Sequence, residues 1–223
     1  MKKRYLAAGL CSLALCSGVT LAYMRDQGQV INSLSFIGEK GMDAVLTEPS
    51  WNPENADTVL PGAVIPKDPC VTNTSEEDID ELVALQVEFL YSAAHPDKEK
   101  RGQVLTETDM QEVSEVFCID YDADTQKNWV RFEQEDEQDP VQHFYYGAVL
   151  ERNYPGKGDV TVPLFQNIVI DKACQNEQFA LIQNMGGIDI RVTGCVLQQM
   201  DGETEFGLDH AKAAYEAGLF LFG

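Results

Sequence analysis

Histidine, the side chain used most often for metal binding and acid–base catalysis, is scarce in this chain. The 223 residues contain three histidines, at positions 95, 143 and 210. No two of them have the HExxH spacing that places two zinc ligands on one face of a helix, and there is no Gly-x-Ser-x-Gly nucleophile elbow. The sequence therefore predicts that the protein is not an enzyme.

Three aspartates at alternate positions resemble the start of a calcium-binding loop. Asp120, Asp122 and Asp124 have the spacing of the first EF-hand ligands. The sixth position of such a loop is Thr125 instead of glycine, and the twelfth is Arg131 instead of glutamate. A polar turn explains the run better than a calcium site does, so neither a metal nor another cofactor is predicted.

Aromatic residues with strand spacing offer a second candidate site. Trp129, Tyr145 and Tyr146 provide flat rings of the kind on which sugars stack. Aromatic side chains on strands more often fill a hydrophobic core, because each of them buries a large apolar area. The core interpretation is therefore preferred, with a sugar-binding surface as the alternative.

The charge of the chain restricts its partners. Acidic residues outnumber basic ones 37 to 16, which gives a net charge of −21 at pH 7. Nucleic acids and anionic membranes attract basic proteins, so neither is a predicted partner. Copies of the chain repel one another at low ionic strength, and self-association needs short-range pairing, cations or mild acid. An acidic run within residues 76–81 is interpreted as a solvated loop, with a cation site as the alternative.

The first 22 residues have the parts of an export signal. Positions 2–4 are basic, residues 6–22 are uncharged, and small side chains precede a cleavage point after Ala22. The uncharged stretch has 17 residues, fewer than the about 20 that a membrane-spanning helix needs. We predict that a signal peptidase cleaves between Ala22 and Tyr23 and that no stable membrane insertion follows; an uncleaved anchor is the alternative.

Cleavage makes residues 23–38 the new N-terminus and changes the net charge from −21 to −24. This segment is too short to fold alone, and our hypothesis is that it pairs with another copy of the protein. The alternative is an ordinary first strand of the protein's own sheet. Residues 39–223 are long enough for one domain with a sizeable core, although two small domains are also compatible with this length. The apolar residues predicted to form the assembly strand are Val30, Ile31, Leu34, Phe36 and Ile37.

Four cysteines follow the predicted leader, at Cys70, Cys118, Cys174 and Cys195. Their spacings include no CxxC pair and match no metal-binding pattern. An exported chain can keep disulfides, but a domain of this length does not need them. The sequence leaves disulfide formation open and assigns no pairing.

Alternating apolar and polar residues predict two half-buried strands. The odd-numbered positions are apolar in residues 83–91, and the even-numbered ones are apolar in residues 188–197 apart from Gly194. That glycine predicts a bulge or a close backbone approach. β-branched and aromatic residues predict further strands at residues 44–47, 128–133, 144–150 and 162–170.

Two helices are predicted beside these strands. Thr106 can cap a helix over residues 106–117, with Leu105 and Met110 as a hydrophobic staple. Residues 208–222 place their apolar side chains on one stripe.

Two stretches between these elements are predicted to be irregular. Residues 50–69 contain four prolines and predict an extended passage with a turn at Leu60, and residues 95–102 predict a polar loop. Short strands with two peripheral helices indicate a mainly β chain folded as an antiparallel β-sandwich.

Several short segments carry a family resemblance when they are taken in order. They are residues 22–26 (AYMRD), 32–38 (NSLSFIG), 46–51 (LTEPSW), 67–69 (KDP), 71–74 (VTNT), 144–146 (FYY) and 163–165 (PLF). Their order and spacing resemble the TasA/camelysin family, exported proteins of Gram-positive bacteria that are matured by a SipW-type signal peptidase.

This resemblance implies a jelly-roll-like β-sandwich whose members build extracellular fibres of the biofilm matrix. It implies that the N-terminal segment of one subunit adds as a strand to the next, with Leu34, Phe36 and Ile37 filling a groove. An open sheet edge presents unpaired N–H and C=O groups that such a strand satisfies. The contact is head-to-tail, so it extends a filament instead of closing a dimer. An accessory matrix protein is a further implied partner.

The sequence thus predicts a secreted structural subunit of matrix fibres that polymerises through its processed N-terminus. One alternative is a monomeric surface-associated domain that binds carbohydrate. The other is a camelysin-like metalloprotease, for which this chain lacks the usual ligand pattern.

Overall fold

The structure is a computed structural model. It describes residues 20–23, 34–37, 44–56, 59–75, 79–121, 125–132, 135–151, 160–174, 176–198, 208–218, 220 and 222. The strands are β1 (Thr20–Tyr23), β2 (Leu34–Ile37), β3 (Ala44–Thr47), β4 (Val64–Pro66), β5 (Cys70–Asn73), β6 (Glu81–Tyr91), β7 (Phe117–Ile119), β8 (Trp129–Arg131), β9 (Val141–Tyr146), β10 (Asn167–Ile170) and β11 (Ile188–Gln198). The helices are α1 (Glu107–Ser114), α2 (Thr125–Asn128), α3 (Asn176–Asn184) and α4 (Leu208–Glu216), and a 3-10 helix spans Pro53–Ala56.

The largest sheet has the strand order β1-β11-β6-β9-β8, with β2 also paired to β11. Strands β6 and β11 form its centre. They are antiparallel over their whole length, from Ile188 opposite Tyr91 to Gln198 opposite Glu81. The other pairings of this sheet are also antiparallel, except that β2 runs parallel to β11.

Two smaller antiparallel sheets, β4-β10-β7 and β3-β5, form the second layer. Their apolar side chains share one core with the inner face of the large sheet. For example, Leu46 of β3, Ile65 of β4 and Ile168 of β10 lie in the same buried cluster as Val87 of β6. The predicted fold class, a mainly β sandwich with peripheral helices, is confirmed.

The alternation predicted for β6 and β11 is confirmed. The odd positions of β6 and the even positions of β11 face the core between the two layers. The prediction of half-buried strands was wrong for both. Leu82 and Ala84 on the other face of β6, and Cys195 and Leu197 on the other face of β11, pack in a second cluster with Ala211 of α4. Gly194 causes no bulge, since the register with β6 is continuous through the pair of Gly194 and Leu85.

Helix α1 begins as predicted and ends early. The Thr106 side chain accepts a hydrogen bond of 3.1 Å from the Asp109 backbone N–H, and Met110 is buried. The helix ends at Ser114 instead of residue 117, because Phe117 begins β7 and pairs with Ile170.

The other element boundaries also differ from the prediction. Strand β9 ends at Tyr146 instead of residue 150, and β10 begins at Asn167 instead of residue 162. In the residues before β10, the Leu164 backbone N–H donates to the Pro69 carbonyl, so that segment is held outside the β10 ladder. Helix α4 ends at Glu216 instead of residue 222. Among the described residues, no helix has the length and apolar character needed to cross a bilayer.

The proline-rich stretch contains more regular structure than predicted, namely the 3-10 helix and β4. The predicted turn is confirmed, since the Ala63 N–H donates to the Leu60 carbonyl over 2.9 Å. Gly62 has a φ of +84° there, a backbone conformation that side chains disfavour.

Two polar segments are more buried than predicted. Residues 95–102 form turns, as predicted for a loop, but His95 is only 6% exposed. Glu81, at the end of the acidic run, is fully buried at the start of β6 and accepts a hydrogen bond of 2.8 Å from the Ser75 hydroxyl. The solvated-loop interpretation was therefore wrong for Glu81, and residues 76–78 lie outside the described part.

The four cysteines beyond the predicted leader all lie in the described part of the chain, and none of them is in a disulfide there. Cys70 and Cys195 are buried, Cys118 is exposed and Cys174 is half-buried. Burial raises the pKa of Cys70. Partial loss of hydration, together with the nearby carboxylates of Asp120 and Glu137, raises the pKa of the exposed Cys118, so both thiols are less reactive near neutral pH.

Candidate assembly edge

The two edges of β11 have different partners. One edge pairs with β6 over all eleven residues of both strands. The other edge is covered by two four-residue strands from the N-terminal segment, β1 and β2. All three strands lie in one sheet, so β11 is a central strand only while the N-terminal segment is in place.

Strand β1 covers the first part of this edge and contains the predicted cleavage bond. Its register runs from Thr20 opposite Val192 to Tyr23 opposite Asp189, and Ala22 is opposite Ile190. Cleavage after Ala22 would remove three of the four β1 residues. The backbone groups of β11 that they cover would then lose their partner within the chain.

Strand β2 covers the second part of the edge. Leu34 pairs with Gly194, Phe36 with Val196 and Ile37 with Leu197, and all of these pairs are parallel. Three of the predicted assembly residues (Leu34, Phe36 and Ile37) therefore lie along β11. The other two, Val30 and Ile31, lie outside the described residues.

An ion pair fixes the register between β11 and β6. Arg191 lies directly opposite Glu88 of β6, and its Nε and Nη2 donate to the two carboxylate oxygens over 2.5 and 2.8 Å. Such a two-point contact is specific in geometry as well as charge. On the other edge of β11, which the N-terminal strands cover, Arg191 is opposite Leu21 of β1.

A buried carboxyl group lies at the start of the same edge. Asp189 is 4% exposed, and its Oδ2 accepts a 3.4 Å hydrogen bond from the Ala93 backbone N–H. Its Oδ1 is buried with no hydrogen-bond partner among the described residues. Removal from water raises the pKa of Asp189 to about 7, because burial disfavours the charged form. The start of the β11 edge therefore changes charge near neutral pH.

The aromatic residues considered for sugar binding belong to the core. Trp129, Tyr145 and Tyr146 are 3%, 4% and 8% exposed. The Trp129 indole N–H donates to the Val162 carbonyl, which satisfies its one polar group. These rings offer no open face on which a sugar can stack, so the surface interpretation was wrong for all three.

A cleft of about 260 Å³ does lie beside Trp129, between Tyr121, Arg131 and Phe144. The Arg131 guanidinium occupies the aromatic faces of this cleft, at 5.0 Å from the Tyr121 ring centroid and 5.3 Å from that of Phe144. A cation stacked on these rings takes the position that a sugar would need.

One of the three candidate calcium ligands lies within the described residues. Asp120 is exposed, and Asp122 and Asp124 lie outside the described residues. Within the described part of the chain, no group of three or more histidine, cysteine, aspartate or glutamate side chains is placed to hold a metal ion.

No family model, curated protein or solved structure matches this chain. The functional inference below therefore depends on the residues and geometry of this chain.

One polar feature had no predicted role. Glu48 and Lys67 form an ion pair whose side chains are 1% and 0% exposed. They are 19 residues apart in the chain and follow different strands, so no local pattern could indicate their contact. The one available signal was a charged residue directly after each short strand, beside a proline-rich stretch.

Proposed function

We propose that this protein is an exported structural subunit that polymerises head-to-tail, with the N-terminal segment of one copy pairing with β11 of the next. The observation that carries this proposal is the unequal pairing of β11. One edge belongs to the folded body, and the other is completed by short strands from the N-terminus.

Removal of the leader turns this edge into an acceptor. Residues 190–192 of β11 pair with residues 20–22, all of which precede the predicted cleavage point. Unpaired backbone groups in a sheet edge readily pair with an added strand. After cleavage the edge is thus vacant at residues 190–192, and residues 194–197 are covered by the four-residue strand β2 of the processed N-terminal segment.

Exchange of β2 between copies conserves its backbone pairing. Within the described part of the chain β2 pairs with β11, so a β2 strand from a neighbour can satisfy the same backbone groups. Six residues separate Ile37 from Ala44 at the start of β3. A chain of that length can extend up to about 20 Å, several times the roughly 4.8 Å spacing between neighbouring strands. The segment is therefore long enough to reach a second copy.

Polymers of this kind grow head-to-tail, and the negative charge of the subunits opposes their growth. Donor and acceptor are different surfaces, so each added copy offers a new acceptor and the assembly grows as a fibre. The mature charge of −24 opposes association, and salt, cations or mild acid reduce that repulsion. The leader and the resemblance to the TasA/camelysin family add the location and role to this proposal: a self-associating component of the extracellular matrix without enzymatic activity, alone or with an accessory matrix protein.

The test compares two purified forms, one beginning at Tyr23 and the other at Glu39. We expect the first to form fibres in electron microscopy and to sediment at physiological salt. The second lacks the donor strand, so we expect a folded monomer by circular dichroism and light scattering.

A third form serves as a control for cleavage. Ala22→Phe removes the small side chain that signal peptidases require, so the leader is retained and fibres should be lost in the producing cell. Fibres from the form beginning at Glu39 would contradict the proposal. A Tyr23 form that stays monomeric at every salt concentration and pH would favour the monomeric binding domain instead.

A further inference from the structure

Glu48 and Lys67 form a buried contact between the two small sheets of the second layer. Glu48 directly follows β3 of the β3-β5 sheet, and Lys67 directly follows β4 of the β4-β10-β7 sheet. The Lys67 ammonium donates to Glu48 Oε1, and the two side chains are 0% and 1% exposed. Lysine is among the residues least often buried, so this full burial is unusual.

The surroundings of the pair exclude water and leave one oxygen unsatisfied. The Trp51 ring lies over the amine, with its centroid 5.1 Å from Nζ. Glu48 Oε2 is buried with no hydrogen-bond partner among the described residues. The neighbouring carboxylate of Asp68 is engaged elsewhere, because it accepts hydrogen bonds from the Ser50 N–H and hydroxyl over 2.7 and 2.8 Å.

Burial also drives both groups towards their uncharged forms. Loss of hydration lowers the pKa of Lys67, an effect that the Glu48 charge opposes. Loss of hydration raises the pKa of Glu48, an effect that Lys67 opposes. A neutral amine in contact with a neutral carboxylic acid is the pair of species that can condense to an amide, whereas an ammonium has no free electron pair.

We propose that Lys67 and Glu48 join in an intramolecular isopeptide bond. The lone pair of the neutral Nζ attacks Cδ of Glu48 and forms the C–N bond. The C–OH bond of the carboxylic acid breaks, and the hydroxyl leaves with one amine proton as water. The reaction is a condensation without oxidation or reduction, and it needs no co-reactant beyond the two side chains.

The fold holds the two reacting groups in contact and keeps water away from them. Two groups held in contact react as if they were at a very high concentration, and the entropy of bringing them together is already lost on folding. Exclusion of water from the site favours the amide over its hydrolysis. The amide also replaces two buried ionisable groups with one neutral group, so no charge has to be held away from solvent. Its product links β3 to β4, and so joins the two small sheets covalently.

The test is the intact mass of the folded full-length chain. We expect a mass lower than the sequence mass by one water, and a proteolytic fragment in which peptides containing Glu48 and Lys67 are joined. The ion pair of Lys100 and Asp109 is the internal control. Its atoms are 3.5 Å apart, but its side chains are 43% and 26% exposed, so it should stay unlinked.

Two further measurements keep the proposal falsifiable if a variant fails to fold. Lys67→Arg cannot form the amide, so its mass should equal its sequence mass. In the denatured wild-type chain, an amine-specific reagent should modify Lys100 but leave Lys67 unmodified. A folded wild-type chain with its full sequence mass and a Lys67 amine that reacts after denaturation would overturn the proposal and leave an ion pair only.

Discussion

The two edges of β11 show how one strand can be both a permanent part of a core and a point of exchange. Towards β6, the strand pairs over its whole length, is crossed by the ion pair of Arg191 and Glu88, and faces side chains of the main core. Towards the N-terminus, the partners are two strands of four residues each, on either side of a ten-residue connection. Short edge strands contribute little to folding free energy and are exchanged at low cost.

The largest expected effect on stability comes from a core substitution in β6. Leu85 is fully buried on the inner face of β6, opposite Gly194. Leu85→Ala removes core contacts and leaves a cavity, so we expect a loss of about 2–5 kcal/mol in the free energy of unfolding. Urea unfolding followed by circular dichroism measures this loss. A change below about 0.5 kcal/mol would show that the β6–β11 core is not the stable body of the molecule.

An intermediate effect on stability is expected at the start of β11. Asp189 has a folded-state pKa of about 7 there. In the unfolded chain this carboxyl has a pKa of about 3.9. Between about pH 4 and pH 7, the folded chain therefore keeps a proton on Asp189 that the unfolded chain has lost. The contribution of Asp189 to stability should therefore be fully present below about pH 4 and be lost as pH rises through about 7.

Asp189→Asn cannot ionise, and it should remove this loss. At pH 8 we expect it to stabilise the chain by up to about 4 kcal/mol, less whatever hydration the site retains. Unfolding free energies at a series of pH values test this expectation, with Asp120→Asn at an exposed site as the control. Parallel pH curves for wild type and Asp189→Asn would contradict it.

The smallest effect on stability is expected on the N-terminal side. Phe36 lies in β2 opposite Val196, in a strand that the account treats as exchangeable. Phe36→Ala in the form beginning at Tyr23 should change the monomer's unfolding free energy by no more than about 0.5–1 kcal/mol. It should nevertheless reduce fibre yield measured by sedimentation, with Ser35→Ala as the neighbouring control. If Phe36→Ala unfolded the monomer completely, β2 would have to be a permanent part of the core.

The parts of the fold that follow from the sequence are those with a local cause. Alternation identified β6 and β11 because their side chains lie on two faces with period two, and the cap at Thr106 identified the start of α1. Helix α3 was missed because its apolar stripe is short. Its one local signal was the pair of glycines at its end, where Gly186 has a φ of +77° and the Gly187 N–H donates to the Ile182 carbonyl.

The features that the sequence did not reveal depend on tertiary contacts. The burial of Glu81 and the contact between Glu48 and Lys67 arise because distant strands bring these side chains together. By contrast, the preferred core interpretation of Trp129, Tyr145 and Tyr146 is confirmed by their burial. The sequence also identified the N-terminal segment as strand-forming, and the structure identified β11 as the strand it pairs with.

Pairing of β2 from one copy with β11 of the next can be tested through the register of Ser35 opposite Cys195. In the form beginning at Tyr23, Ser35→Cys places a thiol opposite Cys195, with Cys118→Ser and Cys174→Ser removing the two more accessible cysteines. Isotopically light and heavy protein are mixed before assembly, the fibres are oxidised, and the 35–195 disulfide peptides are analysed by mass spectrometry. If β2 of one copy pairs with β11 of the next, disulfides should join a light chain to a heavy one. Fibres in which every 35–195 disulfide joins two residues of the same molecule would contradict this pairing.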